Sequence, residues 1–217
     1  MAQILSPAEL NGSGTLNSEQ LAPSEPSITE ISRTVGYRYY FDTLGGMTDW
    51  NLAINAASSQ AADGSLQITS ATESGRGGIG YITGRLLIQY DLSEIVGNIT
   101  SISLDFSTHP LQAASSFDVN IYNAGTTLLG GTTGEYSYYK DEGSTAFSTP
   151  QSMSPNSQYT FSLNSSALTI ANTKPTNFVI ALISEFDYTA TAPTPTNTFY
   201  ELLLQEPYTI PLTVTSY

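Results

Sequence analysis

The sequence contains no cysteine and few basic residues, and both shortages exclude whole classes of function. Without cysteine the chain has no disulfide, no thiolate ligand for a metal and no thiol nucleophile. Only 6 Lys and Arg residues stand against 19 Asp and Glu, which gives a net charge of −13. Binding to nucleic acid or to an anionic membrane surface needs a basic patch. We therefore expect no nucleic-acid partner and no membrane partner.

Long apolar runs are also missing. No stretch approaches the roughly 18 consecutive apolar residues of a membrane-spanning helix. The first residues, Met1 to Pro7, have no basic region followed by an apolar one, so we expect no secretory signal. Charged residues make up only 12% of the chain, about half of their usual share. A polar surface built from Ser, Thr, Asn, Gln and Tyr suits twisted strands better than surface helices.

The chain does have apolar residues at every second position in many short segments. This alternation, which places one strand face on a core and the other in water, occurs at 102–106, 117–121, 159–163 and 210–214. Fuller apolar runs, typical of central strands or strands covered on both faces, occur at 86–88, 178–183 and 202–204. The pattern predicts about ten to twelve strands and no helix beyond about two turns. We therefore predict an all-β antiparallel β-sandwich of jelly-roll type over residues 36–217.

Residues 1–35 differ from the rest of the chain. Isolated apolar residues stand among Ser, Asn, Gly and Glu, and Pro23 and Pro26 oppose helix formation. This composition predicts an extended N-terminal arm that gains its order from a partner, and the alternative is a disordered tail. The candidate partner-binding residues of the arm are Leu5, Leu10, Leu16, Leu21 and Ile28.

Tyrosine is abundant, with 14 residues in the chain. Tyr136, Tyr138 and Tyr139 cluster between glycines, so we expect them on an exposed loop or sheet edge. There they would anchor a protein interface, since Tyr is enriched at binding hot spots, or stack on sugar rings. Ordinary packing within strands is the alternative.

Two glycine-containing segments mark turns. Gly75 to Gly80 fits G-x-G-x-x-G, but β-formers follow it where a dinucleotide site needs a helix, so it predicts a loop between strands. Asp63-Gly64 precedes Leu66 and Ile68 and predicts a hairpin there.

Candidate catalytic residues are sparse. His109 is the only histidine and no G-x-S-x-G motif accompanies it, so we expect an exposed loop residue. Glu185 and Asp187 are two apart and would share one face of a strand, where they could bind Ca²⁺ or act as a glycosidase pair. No calcium-loop pattern surrounds them, and solvent-facing acids are the simpler interpretation. The sequence therefore predicts a protein that is not an enzyme, with no catalytic, cofactor-binding or metal-binding residues.

One stretch carries a resemblance to a known family. Arg85 to Ile95 reads RLLIQYDLSEI, residues 99–104 read ITSISL, and residues 119–122 read VNIY. This progression resembles the jelly-roll carbohydrate-binding modules that are attached to secreted polysaccharide-active enzymes and to phage tail or capsid proteins. The resemblance implies a jelly-roll fold and, as a possible partner, a surface glycan. The only tryptophan, Trp50, lies outside this stretch.

In general character, a polar β domain with an arm and no export signal also resembles bacteriophage virion components. This resemblance implies a non-enzymatic virion structural protein, such as a capsid decoration or cement protein or a head or tail fibre module. It implies synthesis in the host cytoplasm, a place in the virion, and binding to other virion proteins such as the major capsid protein. A homo-oligomer is expected, with a trimer favoured. The alternative function is a carbohydrate-binding module or adhesin of an extracellular system.

Overall fold

Two antiparallel sheets packed face to face form the body of the protein. The computed structural model describes residues 25–42, 49–55, 60–63, 66–75, 78–109, 116–194, 199–204 and 210–217. Within these residues the chain forms twelve strands. The prediction of an all-β sandwich is confirmed.

The first sheet has four strands. Their order across the sheet is β1 (Ser27–Ile31), β12 (Leu212–Ser216), β6 (Ile99–Ser107) and β9 (Gln158–Ser162). The pairing of β1 with β12 brings Ser27 opposite Ser216 and Ile31 opposite Leu212. The first and last described strands of the chain are therefore neighbours.

The second sheet has eight strands. Six of them follow the order β11 (Phe199–Leu203), β4 (Gln67–Gly75), β5 (Gly78–Tyr90), β10 (Phe178–Ser184), β7 (Phe117–Asn123) and β8 (Gln151–Met153). The other two are β2 (Val35–Asp42), which pairs with β5, and β3 (Gln60–Asp63), which pairs with β2. With 13 residues, β5 pairs with β4 along its first half and with β10 along its second.

The main core lies between the two sheets. Ile102, Leu104 and Phe106 of β6 face it, while the residues between them are more exposed. From the second sheet, Leu86 and Ile88 of β5 pack onto the same cluster. This alternation is the one expected from the sequence, because successive side chains of a strand point to opposite faces.

The second sheet is also covered on its other face. All seven residues of β10 are buried. The covering segments are α1 (Trp50–Ile54), the 3₁₀ helix Thr133–Ser137 and α2 (Tyr138–Asp141), which together we call the outer layer. The prediction that the apolar runs 86–88 and 178–183 form central strands or strands covered on both faces is confirmed, whereas the run 202–204 begins in β11 at the end of the strand order.

Helices are short throughout the described part of the chain. The remaining two are α3 (Ser165–Ala171) and α4 (Glu185–Tyr188), and α3 is the longest with seven residues. Asn164 caps α3, since its Oδ1 accepts from the main-chain N–H of Ser166 and Ala167 at 3.0 and 3.3 Å. None of the helices described has the length and apolar character needed to cross a membrane.

Two local predictions are wrong. Residues 27–31 were expected in an arm outside the body, but they form β1 of the first sheet because Ile31 packs against the main core. Asp63-Gly64 was expected to join two paired strands, but β3 pairs with β2 while β4 pairs with β5 and β11. Turn chemistry indicates a reversal of the chain but does not fix which strands pair.

Replacement of Leu87 should test the burial of the outer face. Leu87 is fully buried under the outer layer. We expect Leu87→Ala to lower the free energy of unfolding by about 2–5 kcal/mol, as for a core position, in chemical denaturation. Leu128→Ala, at a side chain that is 63% exposed, should change it by less than about 0.5 kcal/mol. Equal effects of the two changes would contradict a buried outer face.

Candidate functional site

One charged pair is enclosed beneath the outer layer. Arg85 of β5 and Asp187 of α4 form an ion pair, with Nε 2.6 Å from Oδ2 and Nη2 2.8 Å from Oδ1. The exposed fractions of the two side chains are 0% and 1%. Because Arg85 and Leu87 are two residues apart on one strand, the guanidinium points to the outer layer and away from the main core.

The other donors of Arg85 join the outer layer to the second sheet. Nη1 donates to the carbonyl of Tyr136 and Nη2 to that of Ile54, both at 2.6 Å. The guanidinium carbon lies 3.7 Å from the ring centre of Tyr136 and 4.7 Å from that of Tyr139, within the range of cation–π attraction. The Tyr139 hydroxyl also donates to Asp187 Oδ1 at 3.0 Å. One side chain thus links β5, α1, α4 and the 133–141 segment.

The protonation states of this cluster follow from burial and charge. Burial alone would lower the pKa of Arg85, but the Asp187 carboxylate raises that pKa above its ordinary value. Burial raises the pKa of both Tyr136 and Tyr139, so both phenols remain neutral hydrogen-bond donors. Burial and the charge of Arg85 lower the pKa of the neighbouring Lys140.

A second buried carboxylate holds the chain ahead of the 3₁₀ helix. Glu135 is 2% exposed. It accepts hydrogen bonds from the Tyr39 hydroxyl, the Gly130 N–H, the Gly131 N–H and the Thr132 hydroxyl. Burial and the hydrogen bond to Glu135 raise the pKa of Tyr39 above its ordinary value. The carboxylate therefore fastens residues 130–135 over β2.

The prediction that Glu185 and Asp187 share a strand face is wrong. The apolar strand β10 ends at Ser184, and both acids lie on α4. Asp187 turns inward to Arg85, whereas Glu185 accepts from the Asp118 N–H at 3.0 Å. The two carboxylates are therefore engaged separately, and the Arg85–Asp187 pair forms a structural joint.

Removal of one partner of this joint should be costly. We expect Asp187→Ala to lower the free energy of unfolding by about 3–5 kcal/mol, because it leaves a buried guanidinium without its counter-charge. The double variant Arg85→Met with Asp187→Leu should recover much of this loss in chemical denaturation. Asp141→Ala, at an exposed carboxylate of α2, should cost less than about 0.5 kcal/mol. A double variant no more stable than Asp187→Ala would contradict this account.

A groove of about 530 Å³ lies beside β1. Its described lining comes from Glu25, from β1 except Ile28, from Ser32, from the loop 91–97 that follows β5, and from residues 216–217. We call it the β1 groove. Its volume is within the range of about 300–1,000 Å³ that is usual for binding sites.

The rim of the β1 groove is acidic. Four carboxylates line it, from Glu25, Glu30, Asp91 and Glu94, and its described lining residues include no Lys or Arg. Hydrogen bonds from the side chain and the main chain of Ser93 lower the pKa of Asp91, so this carboxylate keeps its charge in weakly acidic solution. The groove therefore has a negative potential.

Exposed apolar side chains surround the same groove. Val96 is 86% exposed and Tyr217 is 55% exposed, and both line it. Ile28, which is 71% exposed, lies on β1 between Ser27 and Thr29, which line the groove. Single exposed apolar residues are common on protein surfaces, but two in one groove with a third on the adjoining strand are typical of an interaction surface.

Main-chain contacts fix the wall opposite β1. Asn98 and Tyr217 exchange hydrogen bonds between their N–H and C=O groups at 2.8 and 3.1 Å. Gly97 has a φ of +82°, and a Cβ atom there would lie 2.2 Å from the Tyr217 carbonyl oxygen. Lys174 Nζ donates to the Gly97 carbonyl at 2.7 Å. Glycine is therefore required at position 97.

Alanine at position 97 should disturb this wall. We expect Gly97→Ala to lower the free energy of unfolding by about 2 kcal/mol or more, because positive φ and a steric clash act together. Gly134→Ala is the control, since no heavy atom lies within 4 Å of its added Cβ, and it should be tolerated. Thermal denaturation of both variants measures the difference, and equal melting temperatures would contradict the steric role of Gly97.

The structure separates the predicted partner-binding residues. Four of them lie outside the described residues: Leu5, Leu10, Leu16 and Leu21. Ile28 lies exposed beside the β1 groove. The expected exposure of the tyrosine cluster is wrong, since Tyr136 and Tyr139 are 1% and 2% exposed and Tyr138 is half-buried. The glycines around them do mark turns, but the rings of Tyr136 and Tyr139 pack against the Arg85 guanidinium on the second sheet.

The other sequence candidates have ordinary places. Gly75 ends β4 and pairs with Gly78, the first residue of β5, so residues 78–80 of this segment belong to a strand rather than to the expected loop, and positions 76 and 77 lie outside the described residues. His109, which was expected to be exposed, is half-buried after β6, and its carbonyl accepts from the Asn156 N–H at 3.4 Å. Within the described ranges, no group of three or more His, Asp or Glu residues is arranged to hold a metal ion.

The groove residues were missed at the level of sequence. Asp91 and Glu94 lie in the stretch that resembles jelly-roll modules, and this resemblance predicted a fold but no binding residues. Glu30 and Val96 belong to no motif. An apolar residue beside a turn glycine, as in Val96-Gly97, was the one available signal. Their convergence depends on the pairing of β1 with β12, which joins the two ends of the described chain.

Sequence comparisons found no match for this chain. No protein-family model and no curated protein sequence matches the chain. The β1 groove and the buried Arg85 cluster are therefore the features from which we infer function.

Proposed function

We propose that this chain is a non-enzymatic virion structural protein, either a capsid decoration protein or a head or tail fibre module. It joins other virion proteins through the β1 groove. The observation that carries the proposal is the exposure of Val96 and Tyr217 in that groove and of Ile28 on the adjoining edge strand β1. Protein interfaces combine an apolar centre with a polar rim, and the four rim carboxylates supply the second part.

The strand order supports a jelly-roll body as part of this proposal. One sheet has the order β1, β12, β6, β9, and the other contains the neighbours β5, β10, β7, β8. After β5 the chain enters the first sheet at β6 and returns to the second at β7, and it crosses again between β8, β9 and β10. Double-sheet jelly rolls have eight strands and occur in viral capsid and lectin domains. The strands β2, β3, β4 and β11 then enlarge one of the two sheets.

Arg85, Asp187 and Glu135 are placed to hold the structure together rather than to act on a substrate. Arg85 and Asp187 direct their hydrogen bonds to each other and to the outer layer. Glu135 is likewise enclosed by donors from its own chain. A catalytic acid or base must reach its substrate, and these three groups are closed off from solvent.

A carbohydrate-binding module or adhesin is the second candidate. The ring of Tyr217 is exposed and lies in the same groove as Asp91 and Glu94. Sugar sites combine an aromatic face for stacking with polar groups that bind hydroxyls. The β1 groove contains both.

Immunogold electron microscopy tests the proposal. Antibodies against the purified chain should label particles released by the cells that encode it. Ile28→Glu should reduce the number of copies per particle about tenfold or more, because it places a charge in the apolar part of the interface. Leu52→Glu is the matched control, since Leu52 is 54% exposed on α1, and it should leave the copy number unchanged.

Two results would overturn the virion role. The first is the absence of label from particles while the chain is found elsewhere. The second is retention of the chain on a polysaccharide column that is abolished by Tyr217→Ala, with label absent from particles. That second result would establish the carbohydrate-binding alternative.

A further inference from the structure

We infer that the β1 groove binds an extended segment of another protein, with Lys or Arg at alternate positions, which adds to the first sheet as a fifth strand beside β1. This inference rests on the proposed assembly role and names the chemistry of the partner. The structural features that support it are the sheet edge, the alternation of β1, the charge of the rim and the exposed apolar side chains.

Among the described strands, β1 is an edge strand of the first sheet. β1 ends the strand order of the first sheet, and the described part of the chain contains no strand beyond it. The opposite edge differs, because the side chain of Gln151 donates to the main-chain carbonyl of Thr160 on β9 at 2.8 Å. An edge strand presents N–H and C=O groups to which an extended peptide can bind.

The alternation of β1 fixes where the side chains of an added strand would lie. Thr29 and Ile31, on one face of β1, line the groove, and so does Glu30, which shares the other face with the exposed Ile28. An added strand would present its side chains alternately to these two faces, so that those on one face would lie beside Glu30 and Ile28. Inside the groove, the long apolar stem of a Lys or Arg fits against Val96, and its charged head reaches the rim.

The charge of the groove selects a basic segment. The rim carries the carboxylates of Glu25, Glu30, Asp91 and Glu94. The neighbouring cation Lys174 already donates to the Gly97 carbonyl. A groove lined by charges of one sign concentrates its field on ligands of the opposite sign. A cationic partner is thus attracted before any contact forms.

The same charge disfavours the chain itself as occupant. A second copy carries a net charge of −13. Residues 1–24 contain Glu9 and Glu19 and no Lys or Arg. Like charges that face each other across an interface oppose binding, so a basic segment of a different protein fits the groove better than either.

Protection of the edge does not by itself account for these features. Short edge strands with charged side chains are a known defence against aggregation, and β1 is short and carries Glu30. An edge that served only this purpose would not combine its charge with exposed Ile28 and Val96. Charge and apolar surface together fit the recognition of a specific strand.

Synthetic peptides can test this inference on the full chain. The probe is a short acetylated peptide of alternating Val and Lys, with a fluorescent label for anisotropy titration. One control has Glu in place of Lys, and another keeps Lys but carries N-methyl groups on alternate amides. We expect the Lys peptide to bind, the N-methylated peptide to bind about tenfold or more weakly because it cannot pair with β1, and the Glu peptide not to bind.

Charge-neutral variants of the protein provide the reciprocal test. Glu30→Gln combined with Glu94→Gln should weaken binding of the Lys peptide about tenfold at low salt, with a smaller effect at high salt. Asp141→Asn removes a carboxylate on α2 and should leave binding unchanged. Equal melting temperatures of these variants would show that the fold is intact.

Five results would overturn the inference. Equal binding of the N-methylated peptide would exclude strand addition, and equal binding of the Glu peptide would exclude charge selection. Tighter binding of a peptide with the sequence of residues 1–24 would assign the groove to this chain's own segment. Self-association abolished by Ile28→Glu would assign it to a second copy. Labelling of particles without peptide binding would support the virion role and contradict the inference. Peptide binding without labelling would support the basic partner and contradict the virion role.

Discussion

Burial of the second sheet on both faces is the constraint on which the rest of the structure depends. All of β10 lies between the first sheet and the outer layer. The outer layer consists of helices of four or five residues, which are too short to be stable alone. Arg85 and Asp187 attach it at a defined place. A buried ion pair contributes little net stability, but loss of either partner is costly, so the pair favours one arrangement of the layer.

Strand β5 connects this joint to the binding surface. Arg85 lies on one face of β5, and Tyr90, five residues later on the other face, is buried and donates to the Ile210 carbonyl at 2.8 Å. The next residue, Asp91, already belongs to the rim of the β1 groove. The wall of the groove therefore starts from a strand whose residues 83–90 are all buried. Such a wall can present its carboxylates in one geometry, which lowers the entropy lost on binding.

The sequence predicted those parts of the fold that depend on local periodicity. The alternation at 102–106 and the apolar run at 178–183 both identified strands, and the run also indicated cover on two faces. The sequence did not predict contacts between residues that are far apart in the chain. Tyr136 looked exposed because its neighbours are turn formers, whereas a guanidinium 51 residues earlier in the chain buries its ring. The β1 groove was missed for the same reason, since its two walls meet only through the pairing of β1 with β12.

The joint between Arg85 and Asp187 also constrains how this protein can evolve. The two positions are 102 residues apart in the chain, and neither charge is tolerated alone in the interior. A substitution at one site is unfavourable unless the other site changes too, so the two positions should covary among homologues. A pair of apolar residues is the replacement that we expect. The contacts of Arg85 with the carbonyls of Ile54 and Tyr136 involve main-chain atoms of these residues. They do not depend on the side chains at positions 54 and 136, so they should produce no covariation. The evolutionary record would thus show one coupled pair of residues where the molecule has a junction of four segments.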